Sequence, residues 1–478
     1  MNYLEDKKLV IWLFIIAAIV LLSPLMVRMS DDNPFVAGGE TYYNLRMAEE
    51  IQENGILEKD VMQSRDYSFN LLHYVLAGMG SFIDLGLLAK ILPIILGMLF
   101  FWLGYKLLQQ FALKNQELFL AMLFVIFTPT FFLVFTTLTT FSFVLVLNLL
   151  GLYLLRSRNV YLQFLSILVF ALIPMFDFFA FILTFMLLLV YILVYKKKAG
   201  MIISAFVLSL VFIWIGLSTL SYKITYFNFI TDSFALRFFL TDFGAAIGYS
   251  FFMFLLALIG FSFAWKKKQS VLVGLISVAL FIFSFFNASM RIYLSFVMVL
   301  VATYSFDNLI NREWSLKFLK RITLLLIICS LIFSAVSFMN RQYEEDPNQE
   351  IVDSLQALRG SMQKGTVLTH QSNGFYVEYF SEMPVVLDGL SSQQPGYIQL
   401  YTGTQELFAT RDLDTAEAHL QRFKIRYILI DDAMKKGLVW RRPQEGLLFL
   451  IENSEKFIKV YSENGIEIYK YRGEEMGQ

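Results

Sequence analysis

Long apolar runs recur along the first 338 residues of this 478-residue chain and constrain its fold more than any other feature. A helix needs about 20 apolar residues to cross a bilayer, because every backbone polar group must be satisfied inside the segment. A composition of 57% hydrophobic and 16% charged residues also indicates a protein that lies in lipid rather than in water. The sequence predicts about eleven spans, at residues 9–27, 85–110, 117–134, 138–155, 159–174, 178–195, 200–219, 245–264, 270–286, 290–307 and 320–338.

Basic residues cluster at every second loop, and short cytoplasmic loops are enriched in Lys and Arg. The pattern predicts a multi-pass plasma-membrane protein with a cytoplasmic N-terminus and an extracytoplasmic C-terminus. The first run, Leu9 to Met26, is followed by no small-residue cleavage pattern, so we interpret it as a spanning helix. The clusters are Lys7-Lys8, Lys106 with Lys114, Arg156 with Arg158, Lys196 to Lys198, Lys266 to Lys268, and Arg312 with Lys317, Lys320 and Arg321.

Two domains are predicted. Residues 1–340 form a polytopic α-helical membrane domain, whose outer loop, 28–84, carries amphipathic helices, including a short one between Phe69 and Phe82. Residues 341–478 are predicted to form a small extracytoplasmic α/β domain, because short segments with a strand pattern alternate with segments that have a helix pattern. We predict strands at 366–369, 384–387 and 427–430, a helix at 412–423, and a final hairpin of 457–461 and 466–471 around Glu463-Asn464-Gly465.

Several classes of site have no support in the sequence. The net charge is zero, so an electrostatic case for nucleic-acid binding is absent. There is no P-loop, dinucleotide-binding glycine motif or HExxH, and three histidines are too few for a mainly histidine zinc site. The single cysteine, Cys329, lies in an apolar run, which favours a buried, unreactive thiol and excludes an internal disulfide.

The first outer loop offers the best catalytic candidate. Glu40 follows Gly38-Gly39 shortly after the first span, where a lipid-linked substrate would present its headgroup. This position suits a general base or a metal ligand. The structural alternative is an acid in the first turn of a helix that Thr41 caps.

Other polar residues fall at the predicted outer ends of the spans. Arg291 opens the tenth span and suits a phosphate ligand, although snorkelling to lipid headgroups is equally open. Asp177 lies at the start of the sixth span, where an acid near the membrane is a functional candidate unless it is simply hydrated. The remaining candidates are the loop acids Asp232 and Asp242, with Lys90 as a partner for any of these acids.

At these residues the sequence resembles the GT-C membrane glycosyltransferases, most closely the catalytic subunit of archaeal oligosaccharyltransferase. Glu40-Thr-Tyr-Tyr-Asn-Leu-Arg46 is similar to that family's first-loop acidic motif, with Glu where the family usually has Asp. Arg291 resembles the arginine that holds the donor phosphate. The frame from Thr369 to Val377, followed by Pro384 to Gly389, is similar to the stretch that bears the WWDYG signature.

The chain also departs from the family pattern. Where the signature would read Trp-Trp-Asp-Tyr-Gly, the chain has His370-Gln371-Ser372-Asn373-Gly374, so only the glycine is kept. The family uses this segment to hold the Ser or Thr of a glycosylation sequon. The stretch from Thr136 to Ser142 lacks the carboxylates of the second acidic motif, and Asp242 stands roughly where the family has its later-loop acid.

The resemblance implies transfer of a sugar or oligosaccharide from a polyprenyl (dolichyl) phosphate or pyrophosphate to a protein or glycan acceptor at the outer membrane face. It implies catalysis by Glu40 and Asp242, either with Mg²⁺ or Mn²⁺ held by both or without metal. Arg291, Arg46 and Lys90 would bind the donor phosphate. The acceptor surface and the rest of the site are assigned to Tyr43, Asp66, Asp177, Asp232, His370, Gln371 and Asn373.

Two other functions remain open. A non-catalytic homologue that binds lipid-linked glycan or scaffolds a complex would explain the altered motifs. A transporter would also use many helices with a few membrane acids, although no internal repeat of the helical pattern supports it.

Overall fold

The computed structural model describes residues 3–111, 113–195, 198–219, 250–264, 268–285, 287–361, 363–394 and 396–473. The strands are β1 (Lys59–Asp60), β2 (Arg65–Asp66), β3 (Thr366–Leu368), β4 (Ile425–Ile430), β5 (Phe457–Glu463) and β6 (Ile466–Tyr471). The main helices are α1 (Tyr3–Ser30), α2 (Gly39–Asn54), α3 (Leu71–Gly80), α4 (Leu85–Gln110), α5 (Asn115–Ile126), α6 (Pro129–Thr136), α7 (Thr140–Leu155), α8 (Val160–Leu172), α9 (Phe178–Tyr195), α10 (Ala199–Thr219), α11 (Phe251–Ala264), α12 (Lys268–Ser284), α13 (Ala288–Asn311), α14 (Lys317–Glu344), α15 (Gln349–Ser361), α16 (Tyr397–Ala409), α17 (Leu413–Arg422) and α18 (Gly446–Asn453).

The chain divides into two compact units. The first, here called the helical unit, comprises Met1–Ser30, Phe69–Val75 and Ile83–Glu344. The second, here called the sheet unit, comprises Asp31–Ser68, Leu76–Phe82 and Glu345–Gln478. Most of the predicted outer loop 28–84 therefore belongs to the same unit as the C-terminal sheet.

Each predicted span coincides with helix in the part of the chain that the structure describes. Five of these helices are long and apolar enough to cross a bilayer, namely α1, α4, α10, α13 and α14. Shorter apolar helices cover the other predicted spans. The fold class is therefore as predicted: a polytopic helical membrane protein with a small C-terminal sheet domain.

The predicted span 117–134 is broken. Helix α5 ends at Ile126 and α6 begins at Pro129, with a bend of 59° between them. Proline has no N–H to donate and its ring clashes with the preceding turn, so a helix bends or ends at this point. The Thr128 hydroxyl donates to the carbonyl of Phe124 at 2.7 Å, which satisfies one of the acceptors that the break leaves open.

Cys329 corrects one prediction. Its thiol is exposed on α14, on a surface that also presents Leu325 and Leu326. Apolar sequence does not distinguish a side chain packed inside the protein from one on the apolar surface of a membrane helix, since both environments exclude water.

The sheet unit contains a four-stranded sheet in the order β3-β4-β6-β5. Strands β3 and β4 are parallel, whereas β6 runs antiparallel to both β4 and β5. The β5-β6 hairpin turns at Asn464 and Gly465 with φ values of 49° and 80°, as an Asn-Gly turn of this kind requires. Trp440 lies in the core of this unit, and its indole N–H donates to the carbonyl of Phe408 at 2.8 Å.

The second predicted strand, 384–387, is not a strand. Only Val385 forms a β-bridge, with Val367. Its neighbour Pro384 cannot donate a ladder hydrogen bond, so an apolar run that looks like a strand remains a single bridged residue.

Helix α2 begins one residue before Glu40 and ends at Asn54, and the φ of 76° at the C-cap Gly55 allows the chain to leave the helix. The N-cap residue is Gly38, with a φ of 94°, rather than Thr41. Thr41 is fully buried inside the helix. The predicted short helix between Phe69 and Phe82 is α3.

Candidate active site

Glu40 is exposed in the first turn of α2. The positive end of a helix dipole favours an acid at this position. Gly38 donates its backbone N–H to the carbonyl of Asp346 at 3.0 Å, which fixes the start of the helix. Glu40 is therefore presented on a well-anchored helix terminus.

Helix α2, which carries Glu40, packs against the stretch from Thr369 to Val377, which resembles the WWDYG region of the family. The ring centroids of Tyr43 and Phe375 are 5.2 Å apart, and those of Tyr42 and Tyr376 are 5.5 Å apart with edge-to-face geometry. A Cβ on Gly39 would lie 3.1 Å from the Phe375 ring, so glycine permits this contact without displacement of the ring. The sheet unit thus places the first acidic motif beside the residues that follow His370.

Gly374 is the one residue of the signature that the chain keeps, and the packing explains why. A Cβ at this position would lie 2.7 Å from the Cα of Asp388 and 2.8 Å from the carbonyl oxygen of Leu387. Both neighbours are backbone atoms, which cannot rotate away. Glycine is therefore required for the segment to pass this close to Asp388.

A buried cluster of charges lies directly behind the Glu40 motif. Arg46 binds Asp60 through both terminal nitrogens, at 2.7 and 2.8 Å, and lies 3.1 Å from Glu378. Arg65 pairs with Asp60 at 2.9 Å and with Asp388 at 2.6 Å. Two guanidinium groups thereby join three separate parts of the sheet unit, and bidentate pairing adds geometric specificity.

Arg46 is only 4% exposed. Its guanidinium faces carboxylates, including Glu50 at 2.6 Å, so its position does not support the predicted role as a donor-phosphate ligand. The Cζ atoms of Arg46 and Arg65 each lie 5.7 Å from the ring centroid of Tyr43, which places this candidate residue in the same cluster. Asp66, by contrast, is exposed on β2.

The protonation states in this cluster follow from burial and pairing. Burial raises the pKa of Glu378 to about 8, although the charge of Arg46 opposes this shift. Burial also disfavours ionised Asp60, but hydrogen bonds and charge from Arg46 outweigh it and hold the pKa of that carboxyl below its usual value. At neutral pH Glu378 is therefore mostly protonated, whereas Asp60 is ionised.

The predicted acceptor residues divide into buried and surface groups. The Asn373 side chain is buried and donates to Asp431 at 2.5 Å and to Thr369 at 3.3 Å. Gln371 is exposed, and a ring nitrogen of His370 lies 2.8 Å from the Ser372 hydroxyl. Partial burial lowers the pKa of His370, with Asp431 opposing. Of these three residues, Gln371 faces the surface fully, His370 does so in part, and Asn373 does not.

Arg291 lies in the first turn of α13 in the helical unit, and Asn287 caps this helix by accepting from Ser289 at 2.8 Å. Among the described residues, the Arg291 guanidinium makes no hydrogen bond or ion pair. Its carbonyl accepts from the Ser295 hydroxyl at 2.9 Å, and Ser295 accepts from Thr130 of α6 at 2.8 Å. The backbone at Arg291 is thus tied to a neighbouring helix.

Two other candidates of the helical unit have different surroundings. Asp177 accepts from the backbone N–H of Ala180 at 2.5 Å, which is the arrangement of a residue that caps α9. Lys90 is half-buried in the second turn of α4. Asp232 and Asp242 lie outside the described residues.

Neither a protein-family model nor a curated protein matches this sequence. Solved structures match over nearly the whole chain. The oligosaccharyltransferase of Archaeoglobus fulgidus is 12% identical over 97% of this chain and 74% of its own, with a TM-score of 0.60. The arabinofuranosyltransferase AftD from Mycobacteria is 15% identical over 97% of this chain and 40% of its own, with a TM-score of 0.59. ArnT from Cupriavidus metallidurans is 11% identical over 97% of this chain and 98% of its own, with a TM-score of 0.56.

These three proteins are GT-C glycosyltransferases. The chain has the GT-C fold. At identities of 11–15% the likeness establishes the fold alone.

In this GT-C fold, the stretch between α6 and α7 holds threonines where the second acidic motif is expected. The Thr136 hydroxyl donates to the Phe132 carbonyl at 2.7 Å and accepts from Gln342 at 2.5 Å. Within the described ranges, no group of three His, Cys, Asp or Glu side chains is arranged to hold a metal ion.

Four residues that shape the site were missed by the sequence reasoning: Asp60, Arg65, Glu378 and Asp388. Two of them carry a signal that could have been used. Glu378 interrupts the apolar run from Phe375 to Phe380, and Asp388 ends the run that begins at Pro384. A charge inside an apolar run requires a buried partner.

Proposed function

We propose that this chain is a membrane glycosyltransferase that takes a sugar or oligosaccharide from a polyprenyl phosphate or pyrophosphate and transfers it to an acceptor at the outer membrane face. The observation that carries the proposal is the packing of the Glu40 helix against the segment from His370 to Asp388, within a GT-C fold. This packing presents an exposed carboxylate beside a surface on which an acceptor can lie.

The class of donor is supported by what related folds bind. The Archaeoglobus fulgidus oligosaccharyltransferase AglB has been solved with an inhibitory peptide and a dolichol-phosphate, and ArnT has been solved with undecaprenyl phosphate. Both ligands are long-chain polyprenyl phosphates. A donor of the same class fits a chain with many apolar helices and an arginine in the first turn of α13.

Each residue has a distinct role in the proposal. Glu40 acts as general base toward the acceptor or as a metal ligand. Arg291, assisted by Lys90, binds the donor phosphate and stabilises the charge that develops on it as the sugar departs. His370 and Gln371 contact the acceptor, whose nature as protein or glycan the proposal leaves to experiment.

A divalent ion is compatible with part of this site. Mg²⁺ and Mn²⁺ prefer oxygen ligands, and the exposed carboxylate of Glu40 is suitable. Asp242, the second predicted ligand, lies outside the described residues. We therefore keep metal-dependent and metal-independent transfer as two forms of the same proposal.

Sugar transfer from labelled polyprenyl-linked donors tests the proposal with the purified full chain, with and without Mg²⁺ or Mn²⁺. Glu40→Gln should reduce transfer about 10²- to 10⁴-fold, the range typical of a lost general base. Glu53→Gln, at the exposed far end of the same helix, is the control and should retain activity. Equal rates for Glu40→Gln and wild type would remove Glu40 from the mechanism.

Donor binding is tested separately. Arg291→Gln should lose transfer and bind polyprenyl phosphate weakly, whereas Arg312→Gln, at the opposite end of α13, should behave as wild type. Binding that depends on Arg291 but is accompanied by no transfer from any donor would instead identify a non-catalytic protein that binds lipid-linked glycan.

A further inference from the structure

A large cavity lies inside the helical unit, and none of the residues assigned to catalysis or to donor binding belongs to its lining. Its volume is about 570 Å³, and α4, α5, α7 and α13 contribute its walls. Most of the lining is apolar and includes Phe100, Leu107, Val125, Leu152, Phe296 and Leu300. The volume falls in the range of about 300–1,000 Å³ that is usual for small-molecule sites.

The lining defines what the cavity can hold. Among the lining residues that the structure describes, the polar side chains are those of Glu117, Thr303 and Tyr304. Water needs two to four polar partners to be stable in a cavity, and an apolar wall without contacting atoms loses dispersion energy. The appropriate occupant is therefore an apolar chain.

Cations gather at one end of the cavity. Phe111 and Leu113 belong to the lining, and the Cζ of Arg156 lies 4.1 Å from the ring centroid of Phe111. Arg156 also donates to the carbonyl of Gln110 at 2.8 Å, which keeps its guanidinium at this end. Lys114 follows Leu113 directly, at the N-terminus of α5.

One acid lies among these cations. Glu117 accepts from the backbone N–H of Lys114 at 3.1 Å, as part of the capping of α5. Two basic side chains, those of Arg156 and Lys114, outnumber the one capping carboxylate, which favours an anionic headgroup.

We propose that this cavity binds one apolar chain of an anionic phospholipid, whose phosphate contacts Arg156 and Lys114. The sequence predicts that this end of the helices faces the cytoplasm, where anionic lipids generate a negative surface potential. The site is thus a lipid site of the inner leaflet, separate from the donor site.

The geometry of α13 separates the two lipids. The lining residues of this helix run from Phe296 to Tyr304, which places them about 8–20 Å along the axis from Arg291 at a rise of 1.5 Å per residue. The basic end of the cavity lies at the end of α4 and the start of α5. A donor whose phosphate is bound at Arg291 would have no charged group left to contact the basic residues at this end of the cavity.

Native mass spectrometry of the detergent-solubilised full chain tests the proposal, with dioleoyl phosphatidylglycerol and dioleoyl phosphatidylcholine as probes. Leu300→Trp fills the cavity from its exposed side, because Leu300 is 51% exposed, and it should abolish retention of phosphatidylglycerol. Leu165→Trp is the control, since Leu165 on α8 is similarly exposed at 46% and lies outside the lining.

A charge variant tests the headgroup. Arg156→Gln with Lys114→Gln should reduce the preference for phosphatidylglycerol over phosphatidylcholine about fivefold per removed charge, because the choline cation already offsets the phosphate charge of phosphatidylcholine. Arg312→Gln with Lys320→Gln, in another basic cluster, should leave the preference intact. Each variant must elute as a monodisperse peak with the melting temperature of wild type.

Three results would overturn the proposal. The first is equal retention of the two phospholipids by wild type. The second is retention of phosphatidylglycerol by Leu300→Trp at the wild-type level. The third is stoichiometric displacement of phosphatidylglycerol by polyprenyl phosphate, which would assign the cavity to the donor.

Discussion

The side chains that hydrogen-bond to Tyr293 in the helical unit are uncharged, whereas those that pair with Arg46 in the sheet unit are acidic. The Tyr293 hydroxyl accepts from the Asn148 side-chain amide at 2.7 Å and lies 3.0 Å from the Thr184 hydroxyl, which in turn donates to the side-chain oxygen (Oδ1) of Asn148 at 2.8 Å. This closed triangle joins α7, α9 and α13. In the sheet unit, Arg46 and Arg65 join Asp60, Glu378 and Asp388.

The two regions use different polar contacts because they differ in how much regular secondary structure they contain. Helices in lipid satisfy their own backbone groups, so a few neutral hydrogen bonds suffice to set their orientation. The loop that carries Asp60 and Arg65 has only two strands of two residues each. Paired charges hold this loop in place of regular secondary structure, and breaking one pair would leave its partner buried and uncompensated.

The largest effect is expected when the charged cluster is broken. Asp60→Ala leaves two arginines without their shared carboxylate and should lower the free energy of unfolding of the sheet unit by about 3–5 kcal/mol. Urea unfolding followed by Trp440 fluorescence measures this in a full chain whose other five tryptophans are phenylalanine. Glu58→Ala, at an exposed site two residues away, should change stability by less than about 0.5 kcal/mol. A similar small change for Asp60→Ala would show that the cluster does not hold the loop.

A steric change at the retained signature glycine should have the next largest effect. Gly374→Ala forces a Cβ against backbone atoms of Leu387 and Asp388 and should cost about 1–3 kcal/mol, measured through the same tryptophan. Gly360→Ala is the matched control, because a Cβ there meets nothing within 4 Å inside α15. It should stabilise the unit by about 0.5–1 kcal/mol. Equal behaviour of the two variants would contradict the packing argument.

The protonation of Glu378 should make the stability of the sheet unit depend on pH. Its folded pKa of about 8 exceeds the ordinary value of 4.5, so its contribution is fully present below about pH 4.5 and is lost as pH rises toward 8. One proton limits the slope to about 1.4 kcal/mol per pH unit. The lowered pKa values of Asp60 and His370 act in the opposite direction, since their contributions are lost as pH falls.

The matched measurement is therefore a difference between two chains. The stability of wild type minus that of Glu378→Gln should decline between pH 5 and pH 8, because the glutamine cannot ionise. A difference that stays constant over this interval would mean that Glu378 is ionised throughout.

The smallest effect is expected in the neutral triangle. Tyr293→Phe removes one hydroxyl from α13 and should destabilise the helical unit by about 0.6 kcal/mol, with an upper limit near 1.7. Unfolding in sodium dodecyl sulfate, followed by circular dichroism, measures this. Tyr161→Phe, on the exposed face of α8, is the control. A loss comparable to that of Asp60→Ala would remove the contrast between the two regions.

Much of the architecture was predictable because it depends on local patterns. The bounds of α4 match the predicted span 85–110, since helix length in a membrane is set by the thickness of the apolar layer. The β5-β6 hairpin follows from Asn464-Gly465, a local turn signal. The break at Pro129 was missed because the apolar run continues through it, and the exposed thiol of Cys329 was missed because hydropathy does not report which face of a helix is covered.

The amino-acid sequence alone determined the membrane class of the chain, the helices, the C-terminal sheet domain and the choice of Glu40 and Arg291 as candidates. These conclusions rest on interactions between residues that are close in the chain, or on the transfer of residues from water to lipid. The free energy of that transfer depends on the residue type and not on its position in the chain. Only the tertiary structure decided that Arg46 pairs with Asp60 and Glu378, that Asn373 donates a hydrogen bond to Asp431, and that Gly374 must be glycine. Each of these interactions depends on a partner elsewhere in the chain, in one case several hundred residues away. Such long-range contacts leave no periodic signal in the sequence.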